Sequence, residues 1–262
     1  MRGSTPRDGG STRKQRGPGG ERVEGLHAVR ELLISGRRVK DLLVADDAGH
    51  NVLLAEILDL ARDAGVPVHR IPRHRFDVEA HTDVPQGVMA KATPLELTDL
   101  ADLVSAPDPQ GRPPFLLALD GITDPHNLGA LTRTADGAGV TGLVLPRHRA
   151  VRFTAAAMKA AAGAAEHLPI AVVGGLPAAI GEMSRAGLHV IGVDERGTTT
   201  LWDCELPNGP VAMVLGSEGT GLGRLVRERC DDVVSIPMRG VLPSLNVSVA
   251  GALACFEVAR RR

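Results

Sequence analysis

The sequence has few of the features that mark secreted, zinc-binding or membrane-spanning proteins. Its three cysteines, Cys204, Cys230 and Cys255, lie far apart and form no CxxC pair, which disfavours a disulfide framework and a zinc site. No apolar run reaches the roughly 18–20 residues of a membrane-spanning helix. The N-terminus also lacks the apolar core of a secretory signal. We therefore expect a soluble, cytoplasmic protein that holds no metal ion.

The formal net charge is only −1, so the molecule as a whole is not an obvious binder of polyanions. The charge is uneven, however, because residues 1–20 carry five basic side chains and one acidic side chain. The same residues are rich in Gly, Ser, Thr and Pro, which predicts a disordered basic tail. Such a tail is either a solvated terminus or an element that attracts phosphate without sequence preference.

The 262 residues, 43% of them hydrophobic, allow two modest domains. The first is predicted over residues 21–92, as a small α/β unit. Its strands are expected at residues 39–45, 66–71 and 87–92, and its helices at 26–36, 52–64 and 75–80. Residues 93–113 contain four prolines and one weak helical stretch, which is typical of a linker.

Residues 114–262 have a regular alternation of short apolar runs and helical stretches. The apolar runs lie at 115–119, 143–145, 170–173, 190–193, 211–215 and 233–236, and the helices at 128–138, 154–165, 176–186, 222–229 and 247–260. Strands that are apolar throughout and alternate with helices predict a parallel sheet covered on both faces. Ligands of such sheets bind beyond the carboxyl ends of the strands.

The first polar strand end runs from Asp120 to Gly129 and enters a helix that carries Arg133. Asp124 or Asn127 would cap this helix, which is an ordinary structural role for either side chain. The free N–H groups at the start of a helix also favour anions such as an RNA phosphate. Arg133 is therefore a candidate for phosphate binding.

The second polar strand end, residues 215–223, is rich in glycine and contains Glu218. It lacks the Lys-Ser/Thr pair of a P-loop, and it lies too late in the chain for a dinucleotide-binding loop. A nucleophile elbow around Ser217 would need glycine where Leu215 stands. The glycines instead indicate close approach of the backbone to a ligand.

The third segment, residues 236–250, places Ser244, Asn246 and Ser248 before a strongly apolar helix. Helix capping would account for Ser244 or Asn246 singly, but not for the whole group.

Together the three segments closely resemble the signature motifs of the SpoU (TrmH) family, within the SPOUT class of RNA ribose 2'-O-methyltransferases. The matching residues are Asn127, Gly129 and Arg133 in the first segment, Leu215, Gly216, Glu218, Gly221 and Leu222 in the second, and Ile236–Met238 with Ser244–Ser248 in the third. Residues 25–29 and 86–88 are similar to the ends of the N-terminal domain in the branch that methylates a guanosine of large-subunit ribosomal RNA. The basic tail and Pro243 depart from the pattern.

The resemblance implies a parallel sheet with a C-terminal trefoil knot, preceded by a small RNA-binding domain. It implies S-adenosylmethionine as the cofactor, and a homodimer formed by the apolar faces of helices 128–138 and 247–260, in which first-motif residues complete the partner's pocket. The residues that it assigns to the cofactor are Leu215, Gly216, Gly221, Ile236 and Leu245.

The resemblance also implies a catalytic group made of Arg133, Asn127, Glu218, Ser244 and Asn246. A guanidinium resists deprotonation, so we expect Arg133 to hold the adjacent phosphate and to stabilise the developing alkoxide, while phosphate or water takes the proton. Ser244 and Asn246 are assigned to substrate and cofactor positioning, and Glu218 to orienting Arg133 or Asn246.

Three alternatives stay open on the sequence. In the first, the enzyme methylates a transfer RNA, or an adenosine of ribosomal RNA whose methylation confers antibiotic resistance. In the second, the chain keeps the fold but acts as a noncatalytic RNA-binding assembly factor. In the third, it is a hydrolase with Ser217 as its nucleophile.

Overall fold

The computed structural model describes residues 18–49, 51–148, 151–206 and 208–262. Residues 1–17 of the predicted basic tail lie outside the described residues. Pro18–Gly20, the end of that tail, contact the second half of the chain: Gly19 pairs with Phe153, and the Gly20 amide donates to the Phe153 carbonyl at 2.7 Å. Residues 18–20, which the sequence had assigned to the disordered tail, are therefore part of the folded protein.

The N-terminal domain is a four-stranded sheet with helices on both faces. Its elements are β1 (Arg22–Glu24), α1 (Leu26–Ile34), β2 (Val39–Ala45), α2 (Val52–Asp63), β3 (Val68–Ile71), α3 (Arg73–Glu79) and β4 (Val88–Ala92). The strand order is β1-β4-β2-β3, with only β2 and β3 parallel. The sequence did not predict β1, which has only three residues. The helix α4 (Leu100–Leu103) lies in the predicted linker.

The C-terminal domain is a seven-stranded sheet in which every described pair of strands is parallel, as predicted. Its elements are β5 (Phe115–Leu119), α5 (Pro125–Gly137), β6 (Gly142–Pro146), α6 (Ala155–Ala161), β7 (Ile170–Val173), α7 (Leu176–Arg185), β8 (His189–Val193), β9 (Thr199–Thr200), β10 (Val211–Leu215), α8 (Arg224–Arg227), β11 (Asp232–Ser235) and α9 (Val247–Arg261). The strand order is β7-β6-β5-β10-β8-β11-β9.

Two helices differ from the sequence-based expectation for local reasons. The helix predicted at 154–165 ends at Ala161, because Ala162 has a φ of 51° and lies in the left-handed region, and a short 3-10 turn, Ala164–Glu166, follows. The helix predicted from residue 128 begins at Pro125. Asp124 caps it by accepting a hydrogen bond from the His126 amide at 3.0 Å, and proline suits the first helical position.

One buried apolar cluster extends through both domains, so they share a core. It contains Val23 and Leu32 of the N-terminal domain together with Phe153 and Met158 of the C-terminal domain. No helix in the described part of the chain is long and apolar enough to cross a bilayer.

The parallel arrangement brings the polar segments together. The segments after β5, β8, β10 and β11 all leave the carboxyl edge of one sheet, where residues 120–124, 194–198, 216–223 and 236–246 follow one strand each.

Candidate active site

A cavity of about 690 Å³ opens at this carboxyl edge. Leu215, Ile236, Leu245 and Val247 supply apolar walls. Between them lie the backbone of the glycine-rich loop 216–221 and the side chains of Glu218, Ser244 and Asn246. All five residues that the sequence assigned to the cofactor line this cavity: Leu215, Gly216, Gly221, Ile236 and Leu245.

The glycine-rich loop folds back on itself beside the wall of the cavity. Ser217 and Gly221 pair through two backbone hydrogen bonds of 2.9 and 3.2 Å. A Cβ atom on Gly216 would lie 2.2 Å from the carbonyl carbon of Gly221, and Gly221 itself has a φ of +64°. Both positions therefore require glycine, one because of a close contact and the other because of its conformation.

Glu218 is the hydrogen-bond acceptor at the centre of the predicted catalytic group. Its Oε1 atom accepts from Asn127 Nδ2 at 3.1 Å, from Asn246 Nδ2 at 2.7 Å and from the Val247 amide at 3.4 Å. Asn246 Nδ2 also donates to Asn127 Oδ1 at 3.1 Å. Three residues that lie on separate segments of the chain are thus held in one hydrogen-bonded triangle.

Asn246 has no hydrogen-bonding capacity left for a substrate. Its Nδ2 group uses both hydrogens within the triangle, and its Oδ1 atom caps α9 by accepting from the Ser248 amide at 2.9 Å and from the Ser248 hydroxyl. The geometry therefore gives Asn246 two tasks at once, helix capping and orientation of Glu218. Its expected part in substrate and cofactor positioning would then act through Glu218 and the start of α9.

Asn127 is almost fully buried, with 7% of its surface exposed. It lies in the first turn of α5, beyond the cap residue Asp124. Of the two candidates for the helix cap, Asp124 or Asn127, the structure selects Asp124, and Asn127 contacts Glu218 instead.

Ser244 and Ser217 both line the cavity. Ser244 is exposed in the segment that leads into α9. The Ser217 hydroxyl lies 2.6 Å from the Thr220 hydroxyl. No histidine, the usual partner of a serine nucleophile, is found among the described residues that line the cavity, so the geometry does not favour the hydrolase alternative.

Arg133 is the one predicted catalytic residue that lies apart from the others. It is six residues beyond Asn127, which on an α-helix is about 9 Å along the axis and about 120° around it. It is exposed, does not line the cavity, and has no side-chain hydrogen bond or ion pair with any residue in the described ranges. Of the two residues that Glu218 was expected to orient, Arg133 or Asn246, the structure brings Asn246 to Glu218, together with Asn127.

Asp194 and Arg196 are site residues that the sequence analysis missed. Asp194 follows β8, and its carboxylate forms two 2.7 Å hydrogen bonds with the Arg196 guanidinium while accepting the Leu222 amide at 2.8 Å. Arg196 also donates to the carbonyls of Thr220 and Leu222, at 3.3 and 3.1 Å. The pair holds the end of the glycine-rich loop in place. An acid and a base at the carboxyl end of a predicted strand were the available signal.

The Asp194 side chain is fully buried, and burial alone would raise its pKa. The hydrogen bonds from Arg196 and the Leu222 amide outweigh burial and lower the pKa to about 2. Asp194 is therefore ionised across the physiological range. Asp120, at the end of β5, holds the next residue of the loop, because its Oδ2 atom accepts the Gly223 amide at 2.8 Å.

The cavity suits a cation with an adenine ring. Its lining includes the acidic side chains of Glu195 and Glu218, besides Asp194, which is paired with Arg196, and no lysine, arginine or histidine belongs to the described residues that form it. Such a lining disfavours a phosphate-bearing cofactor and favours a positively charged sulfonium, while the aliphatic walls can enclose a flat ring. The residues present fit S-adenosylmethionine, the cofactor that the resemblance implies.

Within the described ranges, no three or more His, Cys, Asp or Glu side chains are grouped so that they could hold a metal ion.

Family models match both domains. Residues 114–256 match the SpoU rRNA methylase family, and residues 22–98 match the substrate-binding domain of RNA 2'-O ribose methyltransferases.

Relatives of known family match nearly the whole chain. The 23S rRNA (guanosine-2'-O-)-methyltransferase RlmB of a Burkholderia species is 41% identical over 240 residues, which is 92% of this chain and 96% of the relative. YacO of Bacillus subtilis (strain 168) is 40% identical over 92% of this chain and 95% of its own length. It is named a TrmH family tRNA/rRNA methyltransferase, a name that does not specify which of the two RNAs it methylates.

Solved structures share the fold. The SpoU methyltransferase AviRb from Streptomyces viridochromogenes superimposes with a TM-score of 0.75 at 25% identity, over 92% of this chain and 89% of AviRb. The two-domain architecture and the parallel sheet are those of a SPOUT methyltransferase.

The buried Asp194 carboxylate should make stability depend on pH. Because its pKa falls from an ordinary value of 3.8 to about 2 on folding, it contributes stability above about pH 4 and loses that contribution as the pH falls towards 2. We expect Asp194→Asn to lower the free energy of unfolding by about 2 kcal/mol at pH 7, and by progressively less below about pH 4. Urea denaturation at a series of pH values measures this difference. Asp203→Asn, at an exposed position, is the matched control. A difference between wild type and Asp194→Asn that is as large at pH 3 as at pH 7 would contradict the assignment.

Proposed function

Because the chain belongs to the SpoU rRNA methylase family, we propose that it methylates the ribose of a guanosine in large-subunit ribosomal RNA. Two observations support this substrate. The relative that is 41% identical is named for a 23S rRNA guanosine, and a substrate-binding domain of RNA ribose methyltransferases covers residues 22–98. The reaction takes place in the cytoplasm, which agrees with three free cysteines.

The protein is an RNA ribose 2'-O-methyltransferase that uses S-adenosylmethionine, and its N-terminal domain binds RNA. The cofactor supplies a methyl group carried on a positively charged sulfonium. Residues Leu215, Gly216, Gly221, Ile236 and Leu245 hold it, through backbone groups of the loop and aliphatic side chains of the walls. Glu218 faces the same cavity, where its negative charge favours a bound cation.

Orientation is the main contribution of the hydrogen-bonded triangle. A ribose 2'-hydroxyl is almost wholly neutral near pH 7. The site therefore accelerates the reaction most by holding this hydroxyl in line with the methyl group and by assisting loss of its proton. Glu218 Oε1 is occupied by three donors, while no hydrogen bond to its Oε2 atom is found within the described ranges. That free oxygen accepts a hydrogen bond from the ribose hydroxyl. Ser244, at the exposed side of the cavity, contacts the RNA backbone next to that ribose.

Arg133 acts on the RNA rather than on Glu218. Its guanidinium keeps its charge and presents a planar fork that matches phosphate. Because Arg133 lies outside the cavity of its own chain, it serves the cavity of a second copy. There it holds the phosphate beside the reacting ribose and stabilises the alkoxide as it forms.

The surface around Arg133 supports a homodimer. Val249, Leu253 and Phe256 recur at spacings of four and three along α9, and they are exposed by 48%, 37% and 52%. α5, which carries Arg133, packs beside α9, where Phe256 lies next to Gly137. An exposed apolar stripe of this kind marks a site of association. A two-fold axis across it brings each Arg133 towards the partner subunit.

The substrate is tested by mapping the methylated nucleotide. We expect the purified protein, given labelled S-adenosylmethionine and unmodified large-subunit ribosomal RNA, to place one methyl group on the 2'-oxygen of a guanosine. Bulk transfer RNA and small-subunit ribosomal RNA are the parallel substrates. Label on transfer RNA or on an adenosine would replace the proposed substrate and keep the reaction. Absence of label on every RNA, with normal cofactor binding, would favour a noncatalytic assembly factor.

Substitution of Arg133 tests its role. Arg133→Ala should nearly abolish methyl transfer while cofactor affinity stays within a few fold, because Arg133 does not line the cavity. Arg133→Lys keeps the charge but loses the fork, so it should also be severely impaired. Arg185→Ala, an exposed arginine at the end of α7, is the control and should keep full activity.

Mixing two inactive variants distinguishes action on the partner from action within one chain. A refolded mixture of Arg133→Ala and Glu218→Gln contains dimers in which one intact cavity faces one intact arginine. We expect roughly a quarter of wild-type activity if the arginine serves the partner of a two-fold dimer. No recovery would place the action of Arg133 within its own chain.

The apolar stripe itself can be tested by charge. Leu253→Glu should shift the protein from dimer to monomer in sedimentation experiments, because it buries a carboxylate in an apolar interface. Val78→Glu, on the exposed α3 of the N-terminal domain, is the matched control and should leave the dimer intact. A Leu253→Glu protein that remains dimeric at micromolar concentration would move the interface elsewhere.

A further inference from the structure

The N-terminal RNA-binding domain contacts the catalytic domain through residues that lie outside the active site. They lie on α6 and the 3-10 turn after it, Ala164–Glu166. At the turn, a Cβ on Gly163 would lie 2.3 Å from Cγ of Glu31. Lys159 of α6 donates to the Val84 carbonyl, and His167 lies 2.9 Å from the Glu31 carboxylate. The two domains are therefore in direct polar and van der Waals contact.

The central contact is a buried ion pair between Arg37 and Glu166. The Arg37 guanidinium donates through Nε and Nη2 to the two Glu166 oxygens, at 2.8 and 2.6 Å. Only 8% of the arginine side chain and 1% of the glutamate side chain are exposed. A bidentate pair whose two charges are shielded from water fixes both the distance between the two side chains and their relative orientation.

The same guanidinium holds both chain connections of the domain. Its Nη1 atom donates to the Gly20 carbonyl at 3.0 Å and to the Thr93 carbonyl. Gly20 precedes β1, where the chain enters the domain, and Thr93 follows β4, where the chain leaves it. Rotation of the domain about these connections would require Arg37 to release Glu166 or the two carbonyls.

α6 continues this contact to the active site. It packs against α5, where a Cβ on Gly129 would lie 2.4 Å from the Ala157 carbonyl oxygen and 2.5 Å from Cβ of Ala160. α5 carries Asn127, which is hydrogen-bonded to Glu218, and Arg133. Close-packed interfaces of this kind do not deform continuously, so the position of the RNA-binding domain and that of α5 are set together.

We propose that Arg37, paired with Glu166, is a positioning residue that fixes the angle of the RNA-binding domain over the catalytic domain, and that this angle determines which ribose of a folded RNA is methylated. The inference rests on the proposed function for its substrate, because it assumes that the N-terminal domain holds a part of the same RNA. Arg37 touches neither cofactor nor reacting atoms. It acts by limiting the orientations in which a bound RNA presents its ribose to the cavity.

Two variants weaken the pair in different ways. Arg37→Gln removes the fork and the charge, and Glu166→Gln keeps the shape but removes the carboxylate. For both we expect KM for the folded RNA to rise about tenfold, while kcat at saturating RNA and the dissociation constant of S-adenosylmethionine change by less than threefold. Mapping of the product should show methyl groups at additional riboses. Arg62→Gln, which removes an exposed ion pair with Asp59 in the same domain, is the matched control.

A measurement without RNA tests the physical basis. Fluorescent labels on Val78→Cys in α3 and Leu225→Cys in α8, both at exposed positions, report the distance between the domains. We expect a narrow distribution for the wild type and for Arg62→Gln, and a broad one for both pair variants. Arg37→Lys, which keeps the charge, should lie between the wild type and the glutamine variants in the width of the distance distribution, in KM and in the number of methylated riboses. It replaces the glutamine variants in the test if either of them fails to fold.

The outcomes separate the two claims. If the wild type methylates another RNA, the substrate proposal fails, and the positioning claim is tested on that RNA with the same variants. A broad distance distribution combined with wild-type KM and a single methylated ribose would overturn the positioning role. An unchanged narrow distribution in both glutamine variants would show that the pair does not hold the domains.

Discussion

The active site depends on one carboxylate oxygen. Glu218 Oε1 accepts hydrogen bonds from α5, from the cap residue of α9 and from the first amide of α9. These partners are 91, 28 and 29 residues away in the chain. A carboxylate that accepts hydrogen bonds from the N-terminal ends of two helices must lie where these two ends come together. The position of Glu218 therefore ties the glycine-rich loop to the first and third polar segments.

Helix α5 connects the three functions of the molecule. Its first turn provides Asn127 to the triangle, its packing against α6 reaches the RNA-binding domain, and its contact with α9 forms the surface proposed for the dimer. Gly129 is required because α6 leaves no room for a side chain there. The glycine of the first motif is thus explained by packing between helices, and the asparagine of the same motif by hydrogen bonding to the active site.

Several sequence-based expectations were confirmed because they rest on local rules. Continuous apolar runs gave a parallel sheet, and the predicted strand at 115–119 matches β5 residue for residue. The short strands β1 and β9 were missed because two or three residues carry no periodic signal. Asp194 was missed because its importance lies in holding the Leu222 amide, 28 residues away, which the neighbouring Arg196 signals only weakly in the sequence. The trefoil knot implied by the resemblance stays a prediction, because a strand order does not state which segment passes over another.

By itself the sequence determined the fold class and the order of the three polar segments, because these follow from hydrophobic period and residue type, while the kind of chemistry came from the resemblance of those segments to the motifs of a known family. Only the tertiary structure decided how the motif residues divide their work. It showed that the side-chain amide of Asn246 is fully used within the protein, and that Arg133 lies outside the cavity of its own chain. It also showed that Arg37 and Glu166, 129 residues apart, meet in a buried ion pair. Hydrogen-bond saturation and long-range pairing depend on directions in space, and a linear sequence does not specify these directions.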